Sequence, residues 1–214
     1  MRKLFIIFAV LIAAWAWKAG KFSGNEEVAV FDAEGKPRTV IYTAEACGAP
    51  CNEAIAELRR RKVAFEQLII NPFDETDSQV KIWQRYNDQR FPLILSGKTK
   101  LAGMSKTLLI SMLAENYGLQ YLTPNERRYY KRHFYSDGKP KIVMYGTAWC
   151  SYCTKLRKEL RDDGQDFLDI DVEKSGEMRL MSETMDIGGY PVMYVGYTRV
   201  NGSSLAAVKA AMPD

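Results

Sequence analysis

Trp149-Cys150-Ser151-Tyr152-Cys153-Thr154-Lys155 sets two cysteines, with two residues between them, where one kind of sequence changes into another. Just upstream, Ile142-Val143-Met144-Tyr145 is a short unbroken apolar run, the pattern of a buried strand. Just downstream, Thr154 to Asp162 has helical periodicity. The same succession occurs earlier in the chain. Val40-Ile41-Tyr42 is followed after four residues by Cys47-Gly48-Ala49-Pro50-Cys51 and a helical stretch from Asn52 to Arg61. In both copies a tyrosine at a strand end stands five residues before the first cysteine. The match runs on through second strands at Val63 to Ile70 and Asp166 to Val172, and helices near Thr76 to Tyr86 and Ser175 to Met185. Each copy then reaches an aromatic-proline step, Phe91-Pro92 or Tyr190-Pro191, followed by an apolar strand, Leu93-Ile94-Leu95 or Val192-Met193-Tyr194-Val195. A turn, a brief strand, a glycine (Gly103 or Gly202) and a last helix close both copies. A self-similar chain is read as repeated units before anything else, and the unit here is β-α-β-α-β-β-α.

Composition agrees with two small packed units. Of 214 residues, 47% are hydrophobic and 26% charged, which excludes general disorder. The net charge of +4, with basic residues dispersed among 26 acids, lacks the clustered positive surface that nucleic acid requires, so no nucleic-acid partner is expected. His133 is the only histidine, which removes His-rich metal sites and Cys/His or Ser/His catalytic pairs. It falls in a stretch rich in Tyr, Arg and Lys that reads as a linker, with a helical lid or an interface as the alternatives its aromatics leave open, and His133 itself is read as a surface residue.

In the order of its elements and the placement of its cysteines, the chain resembles the glutaredoxin branch of the thioredoxin fold over about Thr39 to Tyr117 and Lys141 to Met212. The 149–155 stretch is similar to that family's Cys-Pro-Tyr-Cys site, with Ser151 in the proline's place. The resemblance implies an α/β chain with two tandem thioredoxin-fold (glutaredoxin-like, βαβαββα) domains at 38–117 and 140–214, joined by a linker at 118–139. It also implies cis prolines at Pro92 and Pro191, and a glutathione site closed by a turn rich in acids before the last helix. Here that turn reads Asn201-Gly202-Ser203-Ser204, and in the first copy Ala102-Gly103-Met104-Ser105, so the acids that would hold the glutathione amine are missing. No resident cofactor is expected. Glutathione stands as a candidate co-substrate beside a protein disulfide.

Thiol–disulfide exchange needs a thiolate to attack and a second thiol close enough to resolve the mixed disulfide. At a helix start, unpaired N–H groups and the helix dipole favour an anionic Cys150, and Cys153 one turn on is within disulfide reach. Lys155, Arg157 and Lys158 add positive charge. A cis Pro191 would turn the backbone beside Tyr190 toward the cysteines, where an extended substrate can pair with it. Catalysis is therefore expected from Cys150 and Cys153, with a divergent second pair in Cys47 and Cys51. Substrate contacts are expected from Tyr152, Lys155, Tyr190 and Pro191, and from Phe91 and Pro92 in the first copy. Two other classes compete: a membrane-tethered binding module with structural disulfides, and a zinc protein with four thiolate ligands. Structural disulfides gain most from closing long loops, whereas these close loops of two and three residues. A zinc site would need the two pairs to meet across a domain interface.

The first residues have another character. Arg2 and Lys3 precede an apolar run from Leu4 to Trp17, followed by Lys18 and Lys21. Residues 1–24 are read as an N-terminal hydrophobic helix, either a signal anchor or a signal peptide cleaved near Ala14-Trp15-Ala16. The expected location is the inner membrane with the domains facing the periplasm or exterior, or export after cleavage.

Overall fold

The computed structural model describes residues 29–213; the hydrophobic N-terminal segment read from Leu4 to Trp17 lies outside the described residues. Among the described residues, no helix is long and apolar enough to cross a membrane. The chain is mixed α/β with two four-stranded sheets of identical order. The first is built from β1 (Thr39–Thr43), β2 (Phe65–Ile69), β3 (Leu93–Ser96) and β4 (Thr99–Ala102), arranged β2-β1-β3-β4. The second is built from β5 (Ile142–Gly146), β6 (Phe167–Asp171), β7 (Val192–Val195) and β8 (Thr198–Arg199), arranged β6-β5-β7-β8. In each, the first two strands run parallel and the other pairings are antiparallel. A parallel pair needs a crossover, which α1 (Ala49–Arg60) supplies in the first copy and α5 (Ser151–Asp162) in the second. The remaining helices are α2 (Ser78–Gln84), α3 (Lys106–Tyr117), α4 (Pro124–Lys131), α6 (Met178–Met185) and α7 (Leu205–Ala210).

Every residue of the central strands β1 and β5 is buried, because helices cover both faces. Alternation sorts the side chains. Ile41 and Ile94 pack with Ala54 and Leu58 of α1 and Leu109 and Leu113 of α3, while Val40, Tyr42, Leu93 and Leu95 pack with Val80 and Trp83 of α2. In the second sheet Ile142 and Met144 meet Leu156 and Leu160 of α5 and Val208 of α7. The opposite face, with Val143, Tyr145 and Tyr194, is covered by Met181 and Met185 of α6. It is also covered by Ile110 and Ala114 of α3, and by Leu122, Tyr129 and Tyr130 from the segment between the sheets. The first copy's last helix thus contributes to the second copy's core.

One sequence reading is given detail here and another is corrected. The 118–139 stretch holds a 3-10 turn (Gly118–Tyr121) and α4, started by a capping box between Thr123 and Glu126. Its buried face is made of Tyr129, Tyr130 and Glu126, residues whose polar atoms are satisfied, so composition did not mark it as apolar. His133 is not a surface residue. It is fully buried, with Nδ1 2.8 Å from the Gly196 carbonyl and Nε2 2.8 Å from the Tyr145 hydroxyl. A carbonyl can only accept, so Nδ1 carries the proton and Nε2 accepts from Tyr145.

Burial pushes the His133 imidazole down to about 4, and neighbouring Arg132 adds to this against the opposing Gly196 hydrogen bond. The unfolded chain takes up this proton near the ordinary value of 6.5, and the folded chain refuses it until about 4. The contribution is therefore complete above pH 6.5 and lost as pH falls toward 4. It is on the order of 3 kcal/mol. Urea unfolding of wild type and His133→Asn between pH 4 and 8 should show wild type losing its advantage across that window. A constant difference would remove His133 as the cause.

The candidate disulfide site

Cys150 is the residue that caps α5. Its backbone is extended, and its Sγ accepts a hydrogen bond from the Cys153 N–H at 3.1 Å. Sulfur here does what a serine or aspartate oxygen does at other helix starts, and a negative charge on it faces the positive end of the helix. The helix therefore begins at Ser151, three residues before the expected Thr154. Cys150 and Cys153 form a disulfide with Cα atoms 5.2 Å apart, and Cys153 is fully buried beneath it.

Around this pair the structure gathers several of the expected residues. Trp149 and Tyr152 stand exposed on either side of Cys150, at 69% and 70%. Trp149 meets Tyr190 edge to face at 6.0 Å, and Tyr190-Pro191 is a cis peptide. A residue missed from sequence holds this wall in place: Trp149 Nε1 donates to both carboxylate oxygens of Glu173, each at 3.0 Å. Lys155 points to solvent and pairs weakly with Glu159 at 3.8 Å, while Lys158 is engaged with Asp162. The acid-free turn at 201–204 is exposed, and Ser204 caps α7 by accepting from the Ala207 N–H.

The first copy is built differently. Cys47 ends a 3-10 turn (Glu45–Cys47), Gly48 with φ +65° follows, and Pro50 lies in the first turn of α1. Cys47 therefore stands before the capping position instead of on it, while Cys51 is buried within the helix. The two are joined with Cα atoms 5.8 Å apart. Phe91-Pro92 is also cis, but Phe91 stacks face to face on buried Trp83 at 4.9 Å, whereas Tyr190 meets exposed Trp149 edge to face. Each pair closes locally, so no four-thiolate centre is assembled. Among the described residues, no group of three or more His, Cys, Asp or Glu side chains is placed to hold a metal ion.

A family model falls on this corner. The glutaredoxin family model matches residues 142–200, from β5 to just past β8. A glutaredoxin of Pseudomonas aeruginosa is 33% identical over 64 residues, 29% of this chain and 76% of that protein. The chain belongs to the glutaredoxin family. Among solved structures, the holo form of glutaredoxin C1 from Populus tremula x tremuloides aligns with a TM-score of 0.32 at 13% identity, over 41% of this chain and 85% of that one. A glutaredoxin domain that closes a Cys-x-x-Cys pair at a helix start supports a thiol–disulfide oxidoreductase in broad terms. The family match takes in Cys150, Cys153, Glu173, Tyr190 and Pro191 and leaves the first copy outside it.

Proposed function

We propose that the chain exchanges thiols and disulfides through Cys150 and Cys153, with Cys47 and Cys51 as a divergent second pair. The carrying observation is the Cys150 sulfur at the capping position of α5, accepting the Cys153 N–H. The Cys150 thiolate attacks one sulfur of a substrate disulfide and releases the other as a thiolate, which takes up a proton. Cys153 then attacks Cys150, frees the second substrate sulfur and leaves the Cys150–Cys153 disulfide. Tyr152, Lys155, Tyr190 and Pro191 flank the entering substrate, and Phe91 and Pro92 hold the corresponding place in the first copy. The partition is two glutaredoxin-like units at 38–117 and 140–214. The substrate is a protein disulfide in preference to glutathione, because the turn at 201–204 offers no acid to an amino group. Turnover of insulin and of glutathione disulfide by the full chain tests this, and inactivity toward both, with both pairs intact, returns the cysteines to a structural role.

The two pairs differ in activation. Cys47 stands outside the capping position with Glu45 and Glu53 in its stretch, so it holds its proton to higher pH than Cys150. In pH-dependent alkylation of the reduced chain, read peptide by peptide, Cys150 should become reactive at lower pH than Cys47. The reverse order refutes this ranking.

We also propose that residues 1–24 tether the chain to the inner membrane with the domains outside, or direct its export, on the charge and apolar pattern of Arg2 to Lys21. Added protease should digest the domains once the outer barrier is opened. Protection that persists until the inner membrane is lysed rules this orientation out.

A further inference from the structure

Building on the exchange reading above, we propose that Arg157, held by Asp169, is the positioning residue of the resolving step: its guanidinium fixes the loop before Cys150 and supports the Cys153 thiolate. Cys153 has to become an anion where it is fully buried, and burial disfavours a thiolate. The N–H of Cys153 is turned to the Cys150 sulfur, so the helix start serves the attacking cysteine and leaves the resolving one needing another source of positive potential.

Arg157 lies one turn beyond Cys153 and is largely buried. Its Nε donates to Asp169 Oδ2 at 2.7 Å and its Nη2 to Oδ1 at 3.2 Å, a fork that fixes the guanidinium plane. Both terminal nitrogens reach the Thr147 carbonyl at 3.3 Å, on the loop three residues before Cys150. A β-carbon on Gly146 would stand 3.0 Å from Cys153 Sγ and 3.4 Å from Arg157 Nη2. The cation and the sulfur are therefore no more than about 6.4 Å apart, both facing the space that a Gly146 side chain would fill. The charged groups tied to this corner are Arg157 of α5 and, on β6, Asp169 and Asp171, the latter paired in register with Gly146 and engaged with Lys174. Gly146, Thr147 and the facing strand β7 are uncharged, and Lys155 and Lys158 point outward to Glu159 and Asp162.

In the step, the Cys153 thiolate forms a bond to Cys150 Sγ as the bond from Cys150 to the substrate sulfur breaks. The electron pair leaves on the substrate sulfur, which ends with the proton Cys153 gave up.

The test uses the full chain carrying Cys150→Ser, reduced, with the iodoacetamide reactivity of Cys153 followed against pH by peptide mass spectrometry. Arg157→Gln should shift the profile to higher pH and slow labelling at pH 7 roughly tenfold, the scale of a unit charge at this distance screened by its counter-ion. Asp169→Asn should shift it to lower pH, because the guanidinium loses a compensating charge, and Arg157→Lys should fall between Arg157→Gln and wild type. A merely structural pair would respond alike to both losses. Shifts of one sign, or no shift, overturn the assignment. Should Arg157→Gln fail to melt cooperatively, the sign of the Asp169→Asn shift decides. These readouts do not depend on turnover, so an inactive wild type with opposite shifts would fail the exchange reading alone.

Discussion

Cys150→Ser should abolish disulfide exchange by the full chain, a loss of about a thousandfold or more, while Cys153→Ser keeps the first chemical step and traps it. The reason lies in the two sulfurs' positions. Cys150 caps α5 beside exposed Trp149 and Tyr152, and Cys153 is sealed below it. Removing the attacking sulfur removes the covalent route altogether, which is the kind of change that costs whole orders of magnitude. Removing the resolving sulfur leaves a nucleophile whose adduct has no internal exit, so mixed disulfides accumulate on Cys150. Mass spectrometry of peptides after incubation with a model disulfide distinguishes the two. Adducts forming equally on Cys153 in the Cys150→Ser chain would reverse the roles.

The largest stability effect is expected at Arg61 and Glu126. Arg61, at the end of α1, is almost fully buried, and its Nη1 and Nη2 donate to the two Glu126 oxygens at 2.8 and 2.7 Å. It also donates to Glu57 and to the Tyr121 carbonyl, while Glu126 accepts from the Thr123 N–H at the start of α4. Burial alone would raise the Glu126 carboxyl, but the hydrogen bonds from Arg61 and Thr123 outweigh it and hold it below the usual range. Losing one partner strands a buried charge, so Glu126→Ala or Arg61→Ala should cost about 3–5 kcal/mol. The double variant Arg61→Met/Glu126→Leu should cost less than the sum of the single changes, since no charge is left unmatched. Denaturant unfolding of the four proteins measures this. Additive losses would mean the pair contributes nothing as a pair.

Several elements were legible because their physics is local. The buried central strands show as unbroken apolar runs, and the repeat shows because the same runs recur at the same spacing from the cysteines. Cys150 could be placed at a helix start because it follows a strand, while the capping bond accepted by its sulfur shows only in three dimensions. His133 was misjudged because a polar residue can be buried at little cost when partners distant in sequence satisfy it, and Gly196 and Tyr145 are such partners. At the site, Lys155, Arg157 and Lys158 looked alike in sequence. Asp169, on a strand across the crossover, turns Arg157 inward and leaves the lysines outside. Phe91 and Tyr190 also occupy matching positions, yet one stacks on buried Trp83 and the other meets exposed Trp149.

The docking of α4 bears on where this protein could ever be cut in two. A break after Tyr117 would strip the first half of Glu126, one of the two carboxylates paired with Arg61. A break after His133 would leave Tyr129 and Tyr130 with the first half, facing water in place of Tyr145, Tyr194 and the helix carrying Met181. Even a break that kept α4 with the second half would uncover Ile110 and Ala114 on the first. Each of these breaks exposes a surface that the intact chain buries. The two copies thus depend on each other for burial even though their cysteine pairs are built differently.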